Sequence, residues 1–431
     1  MAMKVAVIGA GVVGLACASH LQLRGHHVTL IDPGAPGEGC SLGNAGCLSR
    51  ASCVPLGLPG MWKKVPGWLL DREGPFSVRW GYAHRVAPWL WRLQQSTALS
   101  RVQRIADALH PLLDRTVEKW RSLATWAGVP DLLRQDGYAF TYLSERAFEG
   151  DALGRALRRE RGVRIEVLTG AAVREFDPAL SPTITHLVVM PEQGHVTNPL
   201  RLSRALAQRL QAGGAAFVAS SALGFEWRDG RVAAVITAAG KEEADAVVIA
   251  AGAHSGGLAA QLGSRVPLES ERGYHVMLTR PSVVPRIPVC SGEGKYFLTP
   301  MEGGLRVAGT VELASVDAPP RFRRADAMVP GAKRLLPDLA HGEVTRWMGH
   351  RPSLPDSLPV LGRSARFANA YFAFGHGHVG LTAAAPTGEL IADLVTGAMP
   401  ALDVRPYAAE RFGMHSRTPN ARQDTNPIPP E

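Results

Sequence analysis

The chain has 431 residues, 46% hydrophobic and 20% charged, a globular make-up too long for one ordinary core, so two domains are expected. A formal charge of +9 suits anionic substrates, an acidic partner or an anionic membrane surface and selects none of them. The sequence contains no Lys/Arg run interleaved with aromatics, and Arg155, Arg158, Arg159, Arg161 and Arg164 read as the wet side of a helix, which argues against nucleic acid. The five cysteines are odd in number and show no CxxC or Cys/His ligand spacing. This disfavours a disulfide framework and a zinc site and fits a reducing, cytoplasmic compartment.

The N-terminus imitates a signal peptide, but its glycines fall in a pattern that a removed segment would not need, so it is read as mature structure. Val5 to Ile8 is an all-apolar run, as expected of a parallel strand buried on both faces. It leads into Gly9-Ala10-Gly11-Val12-Val13-Gly14. A helix follows with Leu15, Ala18, Leu21 and Leu23 until Gly25 offers a C-cap, and Val28 to Ile31 makes a second strand ending in Asp32, with Pro33 beside it. In this βαβ unit Gly9 permits the tight turn, Gly11 lets backbone approach a pyrophosphate, and Gly14 allows close helix packing. Asp32, 18 residues after Gly14, is placed to bind a ribose hydroxyl.

Residues 39 to 49, which include Ser41, Asn44, Ala45 and Gly46, are small and expose backbone N–H groups. They read either as a wrap for a long, internally bound cofactor or as a surface loop. Residues 54 to 93 hold five of the nine tryptophans among prolines, glycines and basic residues. That composition suits a peripheral membrane or quinone contact, or a lid or subunit contact packed against protein. The packed reading is favoured, because no continuous amphipathic helix with a basic face can be drawn there.

From Ser100 to Ala127 apolar residues repeat at helical spacing, with Pro111 kinking or dividing the helix. Asn198-Pro199 starts another helix that Gly213-Gly214 ends, and Asp229-Gly230 turns a hairpin. Asp245 to Ala251-Gly252 is a buried strand running into small residues, a return to the nucleotide domain. From about Val266, alternating runs around Tyr274, Tyr296 and Leu305 predict an antiparallel sheet. Residues 349 to 362, GHRPSLPDSLPVLG, read as a stiff, proline-rich loop around Arg351. Gly375, Gly377, Val379, Gly380, Leu381 and Thr382 open a last helix whose free N–H groups suit a flavin's pyrimidine end, and residues 414 to 431 read as a disordered tail.

Together GAGVVG, SLGNAG at 41 to 46, VVIAAGA at 247 to 253, GHRP with PDSLPVLG, and GHGHVGLT at 375 to 382 resemble the FAD-dependent D-amino-acid dehydrogenases. These belong to the group that contains D-amino-acid oxidase, glycine oxidase and sarcosine oxidase. The likeness runs from residue 3 to about 412, and ERGYH at 271 to 275 looks closest to the hydroxy-D-proline dehydrogenase branch. The resemblance implies an α/β Rossmann-like FAD-binding domain interleaved with an antiparallel-sheet substrate domain carrying cap helices. FAD-binding parts are then expected at 1–60, 151–265 (with part of the substrate-domain connection) and 346–413, a helical cap at 61–150, the substrate sheet at 266–345 and a tail at 414–431. It implies that Asp32 binds adenosine ribose, that 41 to 46 contact pyrophosphate and isoalloxazine, that Ala222 meets adenine, and that the 375–382 loop meets the flavin ring. With no cysteine between His376 and Thr387, noncovalent FAD is expected.

By the same resemblance Arg351 grips the substrate carboxylate, for which arginine's planar fork is the best anchor. Arg272, Tyr274, Tyr296 and Arg306 are expected over the substrate. His350 and His378 either accept the amine proton or hydrogen-bond a carbonyl. The implied reaction is hydride transfer from Cα of a D-amino or cyclic imino acid, such as D-proline or hydroxy-D-proline, to FAD N5. A quinone or another non-oxygen acceptor would take the electrons, at the inner face of the membrane if residues 54 to 93 touch it. The alternatives are a glycine- or sarcosine-type oxidase using oxygen, and a flavin subunit that only relays electrons.

Overall fold

The computed structural model describes residues 2–63, 65, 67 and 74–413; Trp68 and the tail expected at 414–431 lie outside them. Lys4–Ile8, apolar and buried from Val5 onward, sits inside a six-stranded sheet ordered Ala216–Val218, His27–Ile31, Lys4–Ile8, Ala246–Ile249, Ala370–Phe374, Val360–Arg363. Neighbours are parallel except for the last pair. Helices Val12–Leu23, Pro199–Ala212 and Gly380–Thr396 bury Leu15, Leu21, Leu206, Ala384 and Ile391 against it. At Gly388 a Cβ would stand 2.5 Å from the Ala16 carbonyl oxygen, so the first and last of these helices meet at backbone contact. The Asn198 side chain caps its helix by accepting from the Arg201 amide at 3.0 Å. Asp229 (φ 53°) and Gly230 (φ 72°) make the expected hairpin turn of a three-stranded antiparallel ribbon.

A nine-stranded sheet faces the nucleotide domain. Along its path lie Val344–Ser353, Glu269–Leu278, Gly304–Leu313, Tyr296–Met301, Val289–Ser291, Tyr138–Tyr142, His186–Met190 and Glu166–Thr169, while Phe76–Val78 joins Gly304–Leu313. The sheet is mixed rather than antiparallel throughout: Val289–Ser291 runs parallel to Tyr138–Tyr142, and Phe76–Val78 parallel to Gly304–Leu313. Residues 166–190, expected with the FAD-binding part, add two strands here, and a boundary between 345 and 346 would cut strand Val344–Ser353.

Three further expectations need correction. GHRP is no loop, because residues 349 to 353 complete the edge strand Val344–Ser353, with Arg351 opposite Glu271. An edge strand lacks a partner on one side, and that position tolerates Pro352. Secondly, Ala83–Ser96 is a helix despite Pro88, with Val86, Trp89 and Leu93 buried on one side and Arg85 and Trp91 exposed on the other. Thirdly, Arg155 and Arg158 are not wet. Three residues apart, both turn inward, Arg155 over the Phe148 ring and Arg158 to the Ala51 carbonyl. Pro111 is carried inside helix Leu99–Leu113, and the break before Thr116–Trp126 falls at Arg115, whose φ is 55°.

Candidate active site

A cavity of about 1110 Å³ is lined by residues of both sheets, Asp32 and Arg351 among them. At the nucleotide end two glycines are demanded by the fold itself. A Cβ on Gly9 (φ +109°) would stand 2.4 Å from the Ala250 carbonyl oxygen, and one on Gly14 would stand 1.9 Å from the Gly9 oxygen. Gly11 differs, since its Cβ would meet only the Ser41 hydroxyl, at 3.4 Å. The protein itself therefore leaves room for a side chain at Gly11, which borders the cavity. The Asp32 carboxylate accepts from the amides of Ala10 (2.7 Å) and Gly34 (2.8 Å), which fixes its plane at the cavity wall. Ser41 Oγ accepts from the Val12 amide at 2.9 Å, tying loop 41–46 to the helix N-terminus.

That loop is also held from the large sheet. Buried Arg306 donates from one guanidinium nitrogen to the Leu42 and Asn44 carbonyls (3.1 and 2.6 Å). His275 Nδ1 lies 3.1 Å from the Gly43 oxygen and stacks on Trp347, whose ring fills the space a side chain on Gly43 would need. Burial pushes Arg306 down to about 10 and His275, helped by Arg306, down to about 3. Arg306, expected over the substrate, is therefore a prop for the loop. His275 and Trp347 were not anticipated, although their alternation with Gly273 and Gly349 places all four on one face.

Strand alternation sorts the remaining candidates. Glu271, Gly273 and His275 share a face with Trp347, Gly349 and Arg351 across one pairing, and with Ala308 and Phe297 beyond the other. All of these except His275 border the cavity. Arg351 extends over Gly273, where an added Cβ would stand 2.3 Å from the guanidinium carbon. It donates to the carbonyls of Thr310 (2.8 Å) and Gly309 (3.5 Å). Thr310 takes φ +59° at a register shift between the paired strands, and this turns its carbonyl toward the arginine.

Arg272, Tyr274 and Tyr296 alternate to the far face, although Tyr274 still borders the cavity while its hydroxyl is bonded behind the sheet to Glu312. Fully buried Arg272 lies 3.3 Å from the equally buried Glu312, which also accepts from the Tyr274 hydroxyl and from Arg79 Nε at 3.0 Å. Tyr296 sits in the core behind the sheet, against Gly309 and Gly331, and its neighbour Phe297 takes the cavity side. His350 borders the cavity with Nδ1 2.8 Å from Ser270 Oγ. His378 is exposed into the cavity it lines, where desolvation by the surrounding protein and the nearby Arg351 charge hold it down to about 4.

The description "FAD dependent oxidoreductase" (DAO) matches residues 4–394. The chain belongs to this family. It is 40% identical over 415 residues to a protein of Bradyrhizobium diazoefficiens named D-amino-acid oxidase, covering 95% of this chain and 98% of the other. It is 28% identical over 419 residues to a D-amino acid dehydrogenase of the same organism, covering 95% and 99%. Glycine oxidase from Geobacillus kaustophilus, at 23% identity over 95% of this chain and 98% of its own, shares the fold with a TM-score of 0.74.

The family's flavin fits the residues present: open space over Gly11, the fixed carboxylate of Asp32, and a cavity of about 1110 Å³ that also reaches Arg351. Ala10, Val12, Val13, Pro33, Asn44, Ala45, Ala222, Ala251, Gly252, Gly377, Gly380, Leu381 and Thr382 border that cavity, whereas Gly14, Gly46, Gly375 and Val379 stand behind its wall. Val311 and the apolar side chains Met61, Trp62, Phe76, Trp89, Leu90 and Leu93 also line the cavity. Part of the tryptophan-rich segment is thus wall, while Trp80 and Trp91 stand 85% and 66% exposed. Among the described residues no helix is long and apolar enough to cross a membrane, and no cluster of His, Cys, Asp and Glu suits a metal.

Proposed function

We propose that the protein dehydrogenates D-amino or cyclic imino acids such as D-proline and hydroxy-D-proline. Hydride leaves from Cα, and the electrons pass to a quinone or another acceptor that is not oxygen. One observation carries this reading. Arg351 presents its guanidinium on the cavity face with no carboxylate within 4 Å among the described residues, its plane set by the Thr310 and Gly309 carbonyls. Such a fork is built to receive a carboxylate from outside the chain.

FAD, held noncovalently along Gly9–Val13, Asp32 and the 377–382 loop, supplies the two-electron acceptor when bound. The chain's own part is to bind and orient. Arg351 fixes the carboxylate, and the apolar residues from Met61 to Leu93 receive a side chain and exclude water. The imine then hydrolyses to a keto acid or remains as a pyrroline. Exposed Trp80 and Trp91, with Arg85 beside them, are the proposed face toward the inner membrane surface.

A second reading, oxidation with oxygen as acceptor, is favoured by the name of the relative at 40% identity. Peroxide formation in air separates the two. If D-proline, hydroxy-D-proline and D-alanine all fail to bleach the yellow protein without oxygen, both give way to a flavin subunit that relays electrons.

A further inference from the structure

We infer that Glu271 receives the amine of the substrate whose carboxylate Arg351 holds, and takes up its proton; the inference rests on the reading above. Glu271 is 2% exposed, borders the cavity, and is the cross-strand partner of Arg351 on the same face. Residues so paired hold their Cβ atoms about 4.5–5.5 Å apart, so the two side chains leave the sheet side by side on the cavity face, as the two charged groups of an α-amino acid sit on adjoining carbons. The guanidinium lies over Gly273 and is anchored toward Thr310, which leaves the carboxylate beside it without an ion-pair partner within 4 Å among the described residues. A buried carboxylate with no salt bridge, next to an arginine with none, forms a dipolar pair. An ammonium carboxylate complements it, and a simple carboxylate does not.

The groups around Glu271 are few. Arg351 and Ser353 face it from the edge strand, and Glu269, hydrogen-bonded by Tyr82 of the tryptophan-rich segment, lies on its own strand. His378 and Cys40 lie near Arg351 across the cavity. Burial pushes the Glu271 carboxyl up, with Arg351 and Ser353 pulling against it, which brings it nearer the range useful for proton transfer. His378, held down to about 4, is a poor competitor, and His350 Nδ1 is engaged by Ser270.

In the step proposed, an N–H bond of the substrate ammonium breaks and an O–H bond forms on Glu271. The electron pair stays on nitrogen, and the neutral amine is ready for loss of the Cα hydride. The proton later leaves to water.

The test uses the FAD-loaded protein and its Glu271→Gln variant, with propionate as a carboxylate lacking an amine. Wild-type propionate affinity is expected to fall as the pH rises above 4.5, the carboxyl's ordinary value, because burial moves its ionisation upward and the ionised form repels the ligand. The variant should bind propionate at least tenfold more tightly at pH 8 and without that pH dependence. Anaerobic flavin reduction by D-alanine should be about 100-fold slower in the variant at pH 7 and recover near pH 10, where the substrate arrives with a neutral amine.

Unchanged propionate affinity together with an unchanged reduction profile overturns the inference. Should the variant fail to fold, pH-independent propionate binding by the wild type overturns it equally. If no amino acid bleaches the wild type, the functional reading falls on its own, while the propionate arm still reports on Glu271.

Discussion

Replacing Arg351 by lysine keeps the charge and removes the fork. In the structure the guanidinium spends donors on two backbone carbonyls, Thr310 and Gly309, and those bonds set the plane in which its remaining N–H groups meet a ligand. A lysine ammonium is a single point of donation. It cannot hold both carbonyls and also make paired bonds to a carboxylate. One charge-assisted hydrogen bond is worth about 1.5–3 kcal/mol, so the expected rise in apparent KM is about 10- to 150-fold. Flavin content should stay at the wild-type level, because Arg351 makes none of the hydrogen bonds that set Asp32, Ser41 or the 41–46 loop. Steady-state kinetics with an artificial electron acceptor, paired with the flavin absorbance of the purified variant, reads both quantities. A KM within about twofold of wild type, with flavin retained, would refute the assignment of Arg351 to the substrate.

Gly14→Ala should cost about 1–3 kcal/mol of stability or more, seen as a lowered melting temperature and poor flavin retention, because the new Cβ meets the Gly9 oxygen at 1.9 Å. Gly11→Ala should leave the melting temperature of the flavin-free protein unchanged and weaken FAD binding in a fluorescence titration. Arg306→Met should likewise lower FAD affinity, by freeing the Leu42 and Asn44 carbonyls, and leave substrate KM little changed. Glu312→Ala strands Arg272 in the core and should destabilise by about 3–5 kcal/mol in denaturant unfolding. Burial pushes the Glu312 carboxyl up, but hydrogen bonds from Tyr274 and Arg79 and the charges of Arg79 and Arg272 more than reverse this, leaving it below its ordinary 4.5. Its stabilisation is therefore present above pH 4.5 and lost as the pH falls further, so wild-type melting temperatures should drop there more steeply than those of the variant.

The nucleotide end was legible because its requirements are local. Gly9, Gly14 and Asp32 lie within one βαβ unit, and the sequence spacing fixes their three-dimensional relation. The substrate end was legible only in part. Arg351 stood out by its motif, yet Pro352 and Pro355 disguised an edge strand as a loop, since nothing in the sequence reveals which strand lacks an outer neighbour. The large sheet is covered on both sides, so apolar and polar residues do not alternate in a way that marks the cavity face. Arg272 could not be told from Glu271, nor Tyr296 from Phe297, until pairing set the parity. Arg306 was expected over the substrate, and its loop-holding role, like His275 altogether, escaped for another reason: the partners, Leu42 to Asn44, lie more than 200 residues away in the chain.

The most direct test of the central claim is a screen of flavin reduction without oxygen. The purified yellow protein is mixed in turn with D- and L-amino acids, including D-proline, hydroxy-D-proline and D-alanine. Bleaching by D substrates, with their L enantiomers inert, is the expected result. Retention of the yellow colour with every amino acid would contradict the account.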